Sequence, residues 1–185
     1  MLAYVFWHWR RPAVTAPDYE AAQRRFHSAL GAAPPPGFER SFSIGLEGAP
    51  WAAGGGDAYE DWYLVDGSAA LDPLNAAAIS ASREAPHDAA AALAAGGTAG
   101  LYSLRLGAPE AAPGTVTWFA KPEGMTYREM FAGLEPMVRS ASAALWCRQM
   151  TLGPALEFCI HSRSPVSLPE PMAPMAIRCR TVWPD

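Results

Sequence analysis

Two predicted strands carry large aromatic side chains on both of their alternating faces. In residues 3–10 one alternating set consists of Val5, Trp7 and Trp9, and the other of Tyr4, Phe6, His8 and Arg10. In residues 59–66 the two sets contain Trp62 with Leu64, and Asp61 with Tyr63. A sheet with one solvated face usually alternates between apolar and polar side chains. Both faces of this sheet are therefore predicted to be covered by protein.

The composition favours a globular domain of ordinary size. The chain has 185 residues, of which 50% are hydrophobic and 17% are charged. This balance excludes a disordered charged tail. The net charge is -4, and the basic residues form no concentrated stripe along the sequence. We therefore expect no nucleic-acid partner.

The sequence also points to a cytoplasmic protein with no membrane partner. No apolar run approaches the length of a membrane span, and MLAYVFWHWRR lacks the charged start of a signal peptide. The three cysteines show no CxxC spacing, and their odd number excludes a full disulfide framework. We expect buried, reduced thiols.

Hydrophobic periodicity predicts a β-α-β-β-α-β order for residues 1–107. Alternating patterns mark strands at 3–10, 38–46, 59–65 and 101–106. Thr15, Pro17 and Asp18 favour the start of a first helix. Asp72 before Pro73 predicts a second helix that runs to about residue 84, with a further helical piece over 86–95. This is the element order of a ferredoxin-like unit.

After a linker at 108–114, part of the same order repeats over residues 115–185. The pattern predicts a strand at 116–121 and a helix that opens with a Thr126–Glu129 capping box and continues through Leu145. Two further strands follow at 156–162 and 176–183. The predicted fold class is therefore α+β, with two ferredoxin-like units, the second lacking its final α-β. The edge left open by this gap suggests a homodimer.

The β-α-β-β-α-β order, its partial repetition and strands such as YVFWHW and YEDWYLV resemble the dimeric α/β-barrel superfamily. The resemblance implies that two ferredoxin-like sheets pack face to face into a barrel-like body. Members of this superfamily include cofactor-free monooxygenases, lactone isomerases, haem enzymes and proteins of unknown role. Because the fold does not select among these activities, function must be argued from the site.

The helices of each unit cover only one face of its sheet. If the uncovered faces enclose a pocket, the more polar alternating set of each strand is expected to line it. The set comprises Tyr4, Phe6, His8, Arg10, Ser41, Ser43, Asp61, Tyr63, Ser103, Arg105, Thr117, Phe119, Lys121, Glu157, Cys159 and His161. A register error of one residue would invert each assignment.

Four residues of this set are the candidate catalytic group: His8, Asp61, Tyr63 and Arg105. The first and third strands are neighbours in a ferredoxin-like sheet, so Asp61 comes beside His8 and can orient it as a general base. Tyr63 and Arg105 would contact a developing oxyanion. The candidate ligand-binding residues are Tyr4, Phe6, Ser41, Ser43, Phe119 and His161. No spacing typical of a metal site is present, and we assign neither a metal nor a cofactor.

These observations favour a small-molecule-binding protein. The resemblance implies that such a protein could be a cofactor-independent oxygenase or isomerase acting on an apolar or aromatic compound. One alternative is a non-enzymatic interaction or stress-related domain whose aromatic side chains only form a core. The other alternative is a haem protein with His8 or His161 as the iron ligand.

Overall fold

A computed structural model describes residues 1–51, 57–109, 112–150 and 155–184. Within these ranges the chain forms eight strands and four helices. In chain order they are β1 (Leu2–Arg10), α1 (Ala16–Ala32), β2 (Phe38–Leu46), β3 (Ala58–Val65), α2 (Leu71–Ala78), α3 (Glu84–Leu93), β4 (Ala94–Gly107), β5 (Thr115–Phe119), α4 (Tyr127–Ser140), β6 (Ala144–Met150), β7 (Phe158–Ser162) and β8 (Met175–Trp183). No helix in the described ranges is long and apolar enough to cross a bilayer.

All eight strands join in one closed antiparallel barrel. Their order around the barrel is β1-β3-β2-β8-β5-β7-β6-β4. The first four strands of the chain are contiguous in the order β4-β1-β3-β2, and the last four in the order β8-β5-β7-β6. The predicted α+β class is confirmed.

The second half of the chain contributes four strands to the barrel, one more than predicted. The helix α4 ends at Ser140, and the segment expected to continue it forms the strand β6. Leu145 and Cys147 contact the core beneath α4, whereas Ala144 and Trp146 point into the barrel. Both faces of β6 are therefore apolar at this end, and such a run does not distinguish a buried strand from a helix by periodicity.

Strand β8 then closes the sheet, so the predicted open edge is wrong. Between β7 and β8 the described chain has a single 3-10 turn at Glu170–Met172 in place of a second helix. Because a closed barrel leaves no unpaired strand, the structural ground for expecting a homodimer is lost.

The helix starts follow the capping signals in two of three cases. Thr15 accepts a hydrogen bond from the Asp18 backbone at the start of α1. The predicted Thr126–Glu129 capping box opens α4. The Asp72 cap is wrong, because α2 begins two residues earlier than predicted, at Leu71 after a 3-10 turn, and ends at Ala78.

Aromatic side chains fill the barrel interior. The buried cluster there includes Trp7, Trp62, Trp118, Trp146, Tyr102 and Phe42. Neighbouring rings lie with centroids 5.3–6.0 Å apart across Trp62–Trp146, Trp7–Trp118 and Trp62–Tyr102. A closed barrel of eight strands has an interior just wide enough for side chains of this kind.

The predicted polar lining of the interior is therefore wrong for most strands. On β1 and β3, His8, Asp61 and Tyr63 lie outside the barrel and face the helices, because Trp7 and Trp62 occupy the interior positions next to them. Only Cys159 and His161 on β7 lie inside the barrel as expected. A shift of one residue inverts a strand face, and on β1, β2, β3 and β5 the larger, less polar set is the one that packs inside. Strand β7 does the opposite, because Phe158 and Ile160 pack beneath α4.

One carboxyl group lies within this aromatic interior. Glu60 is fully buried and accepts hydrogen bonds from the Trp7 and Trp62 indole nitrogens, each at 3.0 Å. Burial raises the pKa of Glu60 to about 7, although the indole hydrogen bonds act in the opposite direction.

Replacing Glu60 by Gln tests this buried carboxyl. Because its pKa rises from 4.5 to about 7 on folding, the contribution of Glu60 to stability falls as the pH rises through that window. We expect wild-type protein to lose on the order of 3 kcal/mol of unfolding free energy relative to Glu60→Gln between acid and mildly alkaline pH. Urea unfolding across this range measures the difference.

The matched control is the exposed Glu39→Gln, which should show no such trend. A wild-type-minus-Glu60→Gln difference that stays constant with pH would contradict the assignment.

Candidate pocket and buried acid–base site

The site lies outside the barrel, between the sheet and the first three helices. A cavity of about 470 Å³ separates the outer face of β1 and β3 from α1, α2 and α3. Its apolar walls consist of Phe6, Phe26, Leu30, Leu71, Leu74, Ala78, Ala90, Ala91 and Ala94. Its polar lining consists of Tyr4, Tyr19, Gln23, Asp61, Tyr63, Asp72, Asn75 and His87. This volume and lining are typical of a small-molecule site.

Asp61 is the buried charge at this site. It lies midway along β3, opposite Phe6 on β1 and Ser43 on β2, and its side chain is 3% exposed. The Tyr63 hydroxyl, two residues further along the same face, donates a hydrogen bond to Asp61 Oδ2 at 3.1 Å.

Two imidazoles flank the Asp61 carboxylate. His8 Nε2 lies 3.2 Å from Oδ2, and His27 Nε2 lies 3.3 Å from Oδ1. Both rings are at most 1% exposed. Neither N–H direction meets hydrogen-bond geometry, so each contact is an electrostatic one between the carboxylate and the edge of an imidazole ring.

The far nitrogen of each imidazole has a hydroxyl partner. His8 Nδ1 lies 2.6 Å from the Tyr19 hydroxyl, and His27 Nδ1 lies 2.8 Å from the Ser41 hydroxyl. An ionised carboxylate favours an N–H on the Nε2 that faces it, so each Nδ1 accepts its hydroxyl proton. These five groups form a row, Tyr19–His8–Asp61–His27–Ser41, which we call the Asp61 row.

The electrostatics keep the central carboxyl ionised. Burial alone would raise the pKa of Asp61, but its interactions with His8 and His27 outweigh burial and hold that pKa below its usual range. Burial, and then the Asp61 charge, raise the pKa of both Tyr19 and Tyr63 well above the ordinary value. The site thus holds an ionised carboxylate beside two protonated phenols at neutral pH. Gln23, one turn further along α1, also hydrogen-bonds the Tyr19 hydroxyl.

Ring stacking fixes the orientation of both imidazoles. His8 lies between Phe6 and Tyr59, with centroids at 5.3 and 5.5 Å. His27 stacks on Tyr63 at 5.4 Å with an interplanar angle of 12°. Gly97 on β4 leaves room for this arrangement, because a Cβ there would come within 2.4 Å of the Phe6 ring. The polar groups are therefore held in place before a ligand binds.

Several of the predicted site residues come together at this pocket. His8 and Tyr63 both contact the Asp61 carboxylate, and Tyr4 and Phe6 line the cavity. Ser41 contacts His27 rather than the cavity. Ser43 is fully buried two residues further along the outer face and does not line the cavity.

Three predicted residues lie elsewhere. Arg105 stands over the Phe131 ring of α4, with its guanidinium carbon 5.4 Å from the ring centroid. Phe119 is buried in the core beneath the same helix. His161 lies inside the barrel, 4.2 Å from the Trp62 ring centroid, and burial lowers its pKa to about 3. The expected placements of all three are therefore wrong: Arg105 and Phe119 lie on outer strand faces that look toward α4, and His161 faces the barrel interior.

Helix α1 completes the site, and its residues were not among those predicted from the sequence. Tyr19, Gln23 and His27 lie on α1 at intervals of four residues and are all buried toward the sheet. The sequence did hold a signal for this helix, because polar residues at this spacing on a buried helix face need hydrogen-bond partners on the sheet opposite.

The predicted haem ligands do not fit that role. The nitrogens of His8 already contact Tyr19 and Asp61, and His161 lies among tryptophans inside the barrel. Among the described residues, no group of three His, Cys, Asp or Glu side chains is arranged to hold a metal ion.

Comparisons with known proteins identify the fold. No family model and no curated protein match the chain. A solved structure from Fusobacterium nucleatum subsp. nucleatum, named "Putative monooxygenase", superposes with a TM-score of 0.68 at 8% identity. The match covers 98% of this chain and 92% of that one. A structure named "Putative Chlorite dismutase" has a TM-score of 0.45 at 8% identity, and covers 98% of this chain and 96% of its own. At such identities the first match shows a shared fold.

Replacing Asp61 by Asn tests the central charge of the row. Because folding lowers the pKa of Asp61, its contribution to stability is complete above the unfolded value of 3.8 and is lost only as the pH falls below it. At pH 7 we expect Asp61→Asn to lower the unfolding free energy by roughly 3 kcal/mol, measured by urea titration.

Asp57→Asn is the matched control. Asp57 forms a half-exposed ion pair with Arg10 at 2.9 Å, which is worth under about 1 kcal/mol. Equal losses in the two variants would show that Asp61 is an ordinary surface-like carboxylate.

Proposed function

We propose that the protein binds a neutral, hydroxylated aromatic compound in the cavity beside Asp61 and acts on it by acid–base chemistry. One observation carries this proposal: a buried carboxylate in contact with two imidazoles lies in the wall of a cavity lined by both apolar and polar side chains. Titratable groups that burial and a specific partner shift in this way cluster at functional sites. The fold shared with a protein named as a monooxygenase is compatible with it.

We also infer that the barrel consists of two ferredoxin-like units, 1–107 and 115–185, joined by the linker 108–114. The strand orders β4-β1-β3-β2 and β8-β5-β7-β6 support this division, because each half repeats the same arrangement. On this view one chain supplies both sheets of a dimeric α/β-barrel. The three free cysteine thiols support a reducing compartment such as the cytoplasm.

His8 is the general base of the proposed reaction. The ring does not line the cavity, but its Nδ1 bonds the hydroxyl of Tyr19, which does. A substrate proton passes to the Tyr19 oxygen while the Tyr19 proton passes to His8 Nδ1. Asp61, 3.2 Å from the other side of the ring, then stabilises the imidazolium, as the aspartate does in a catalytic triad.

Tyr63 is the candidate group for stabilising the substrate anion. Without a ligand its hydroxyl donates to Asp61, and rotation about the C–O bond would turn that same proton toward a substrate oxygen at the cavity wall. The raised pKa of Tyr63 keeps the hydroxyl protonated for this role. The Gln23 amide, on the opposite wall, is a second donor. Tyr63 thus keeps the role expected from the sequence, and Gln23 takes the one expected of Arg105.

Deprotonation is the first step of both candidate activities. In an isomerase the same proton returns to a different substrate atom. In a cofactor-independent oxygenase the electron-rich anion instead gives electrons to dioxygen. Oxygen consumption therefore distinguishes the two activities.

Replacing His8 by Gln tests the base. Dihydroxynaphthalenes serve as probes, with oxygen uptake followed by electrode and products by mass spectrometry. We expect kcat to fall at least about 100-fold, which is typical for loss of a general base. The Kd of the probe should stay unchanged, because His8 does not line the cavity. Binding without turnover by the wild-type protein would reduce the proposal to a binding function.

The cavity itself is tested by a pair of substitutions on the exposed side of α3. Ala91 lines the cavity, whereas its exposed neighbour Ala92 does not. We expect Ala91→Trp to weaken binding of naphthol at least about tenfold through steric overlap, and Ala92→Trp to leave it unchanged.

Charge selection gives a second readout of the same cavity. Its lining holds Asp61 and Asp72 but neither Lys nor Arg, so naphthoate should bind more weakly than naphthol. Fluorescence titration measures both ligands. Equal effects of the two tryptophan variants, or preferred binding of naphthoate, would overturn the assignment of this cavity.

A further inference from the structure

The Asp61 carboxylate has a second imidazole arm that the proposed reaction does not use. The reaction requires Oδ2 with its partners His8 and Tyr63. Oδ1 instead faces His27, whose ring is fully buried and whose Nδ1 bonds Ser41. His27 does not line the cavity and so does not touch a ligand there.

We propose that His27 is a positioning residue that sets the basicity of His8 through the carboxylate they share. This inference rests on the proposed function, in which His8 is the base. His27 holds Oδ1, and Ser41 fixes the tautomer of His27 by donating to Nδ1. Asp61 is thereby kept in the orientation that presents Oδ2 to His8.

The physical basis is competition for one negative charge. A neutral His27 with its N–H toward Oδ1 draws part of the carboxylate charge away from His8. The imidazolium of His8 is then stabilised less than it would be beside an unshared aspartate. A weaker base of this kind stays unprotonated, and therefore active, to lower pH.

Among the described residues, Asp61 is the charged group that contacts the His27 ring, and aromatic side chains pack around the ring. Tyr63 from β3 and Trp183 from β8 stack on its ring, at 5.4 and 6.5 Å. Phe26 of the same helix packs at 5.8 Å. Of the other titratable groups on this side, Tyr19 bonds His8, Glu20 pairs with Arg180 near Tyr59, and His87 packs on Phe26.

The test uses His27→Phe, which preserves the stacked ring and removes both nitrogens. We expect the acid limb of the pH profile of kcat/KM to move up by about one pH unit, because His8 gains the full carboxylate. The Kd of the naphthol probe should not change. His27→Gln, whose amide can donate to Oδ1, should return the profile toward that of the wild type.

A purely structural role gives a different result. In that case His27→Phe would lower kcat at every pH and leave the acid limb where it is, which would overturn the proposal. Circular dichroism and urea unfolding establish that the variants are folded. If His27→Phe does not fold, the smaller Ser41→Ala change tests the same arm, with a smaller upward shift expected.

Nitrogen-15 NMR of the imidazoles tests the arm without any substrate. We expect His27 to carry its proton on Nε2 in the wild type and to populate both tautomers in Ser41→Ala. A wild-type His27 with its proton on Nδ1 would overturn the proposal, since its Nε2 would then present no N–H to Asp61. The tautomer measurement separates the His27 proposal from the proposed acid–base function, because it can be made whether or not the protein turns over the probes.

Discussion

The aromatic filling of the closed barrel determines where every other part of the molecule lies. Once Trp7 and Trp62 occupy the interior, the period of two along a strand forces His8 and Asp61 to the outer face. An ionised carboxylate would lose its solvation inside, where burial shifts the pKa values of Glu60 and His161 toward their neutral forms. The helices must then supply the partners that the polar groups on the outer face need, and α1 does so with Tyr19 and His27.

Sequence periodicity was sufficient to predict most elements of the fold, but not which strand face lies inside. Strand β1 carries large rings on both faces, so hydrophobicity does not separate Trp7 from Phe6. The choice is made by barrel closure, which depends on strands more than one hundred residues away. The same ambiguity hid β6, where Leu145 and Trp146 are both buried and fit a helix as well as a strand.

The core of the site was predictable because it depends on strand adjacency alone. His8 and Asp61 lie on paired strands, and their contact follows from the order β1-β3 whichever face is inward. The α1 residues were not predictable in this way, since Tyr19 and His27 fit the packed face of an amphipathic helix. The expected position of Arg105 was wrong because the outer face of its strand looks toward α4 at that point and not toward the cavity.

The two halves of the barrel perform different tasks even though their strands are arranged alike. Among the described residues of the second half a single helix, α4, packs directly on the sheet, with Met130 and Leu134 in the same buried cluster as Phe158 of β7. In the first half the short helices α2 and α3 stand beside α1 and enclose a cavity above Asp61. The second half therefore serves to close and fill the barrel, which holds β1 and β3 rigid. A rigid sheet is what a preorganised row of five polar groups requires, because small displacements would break its contacts.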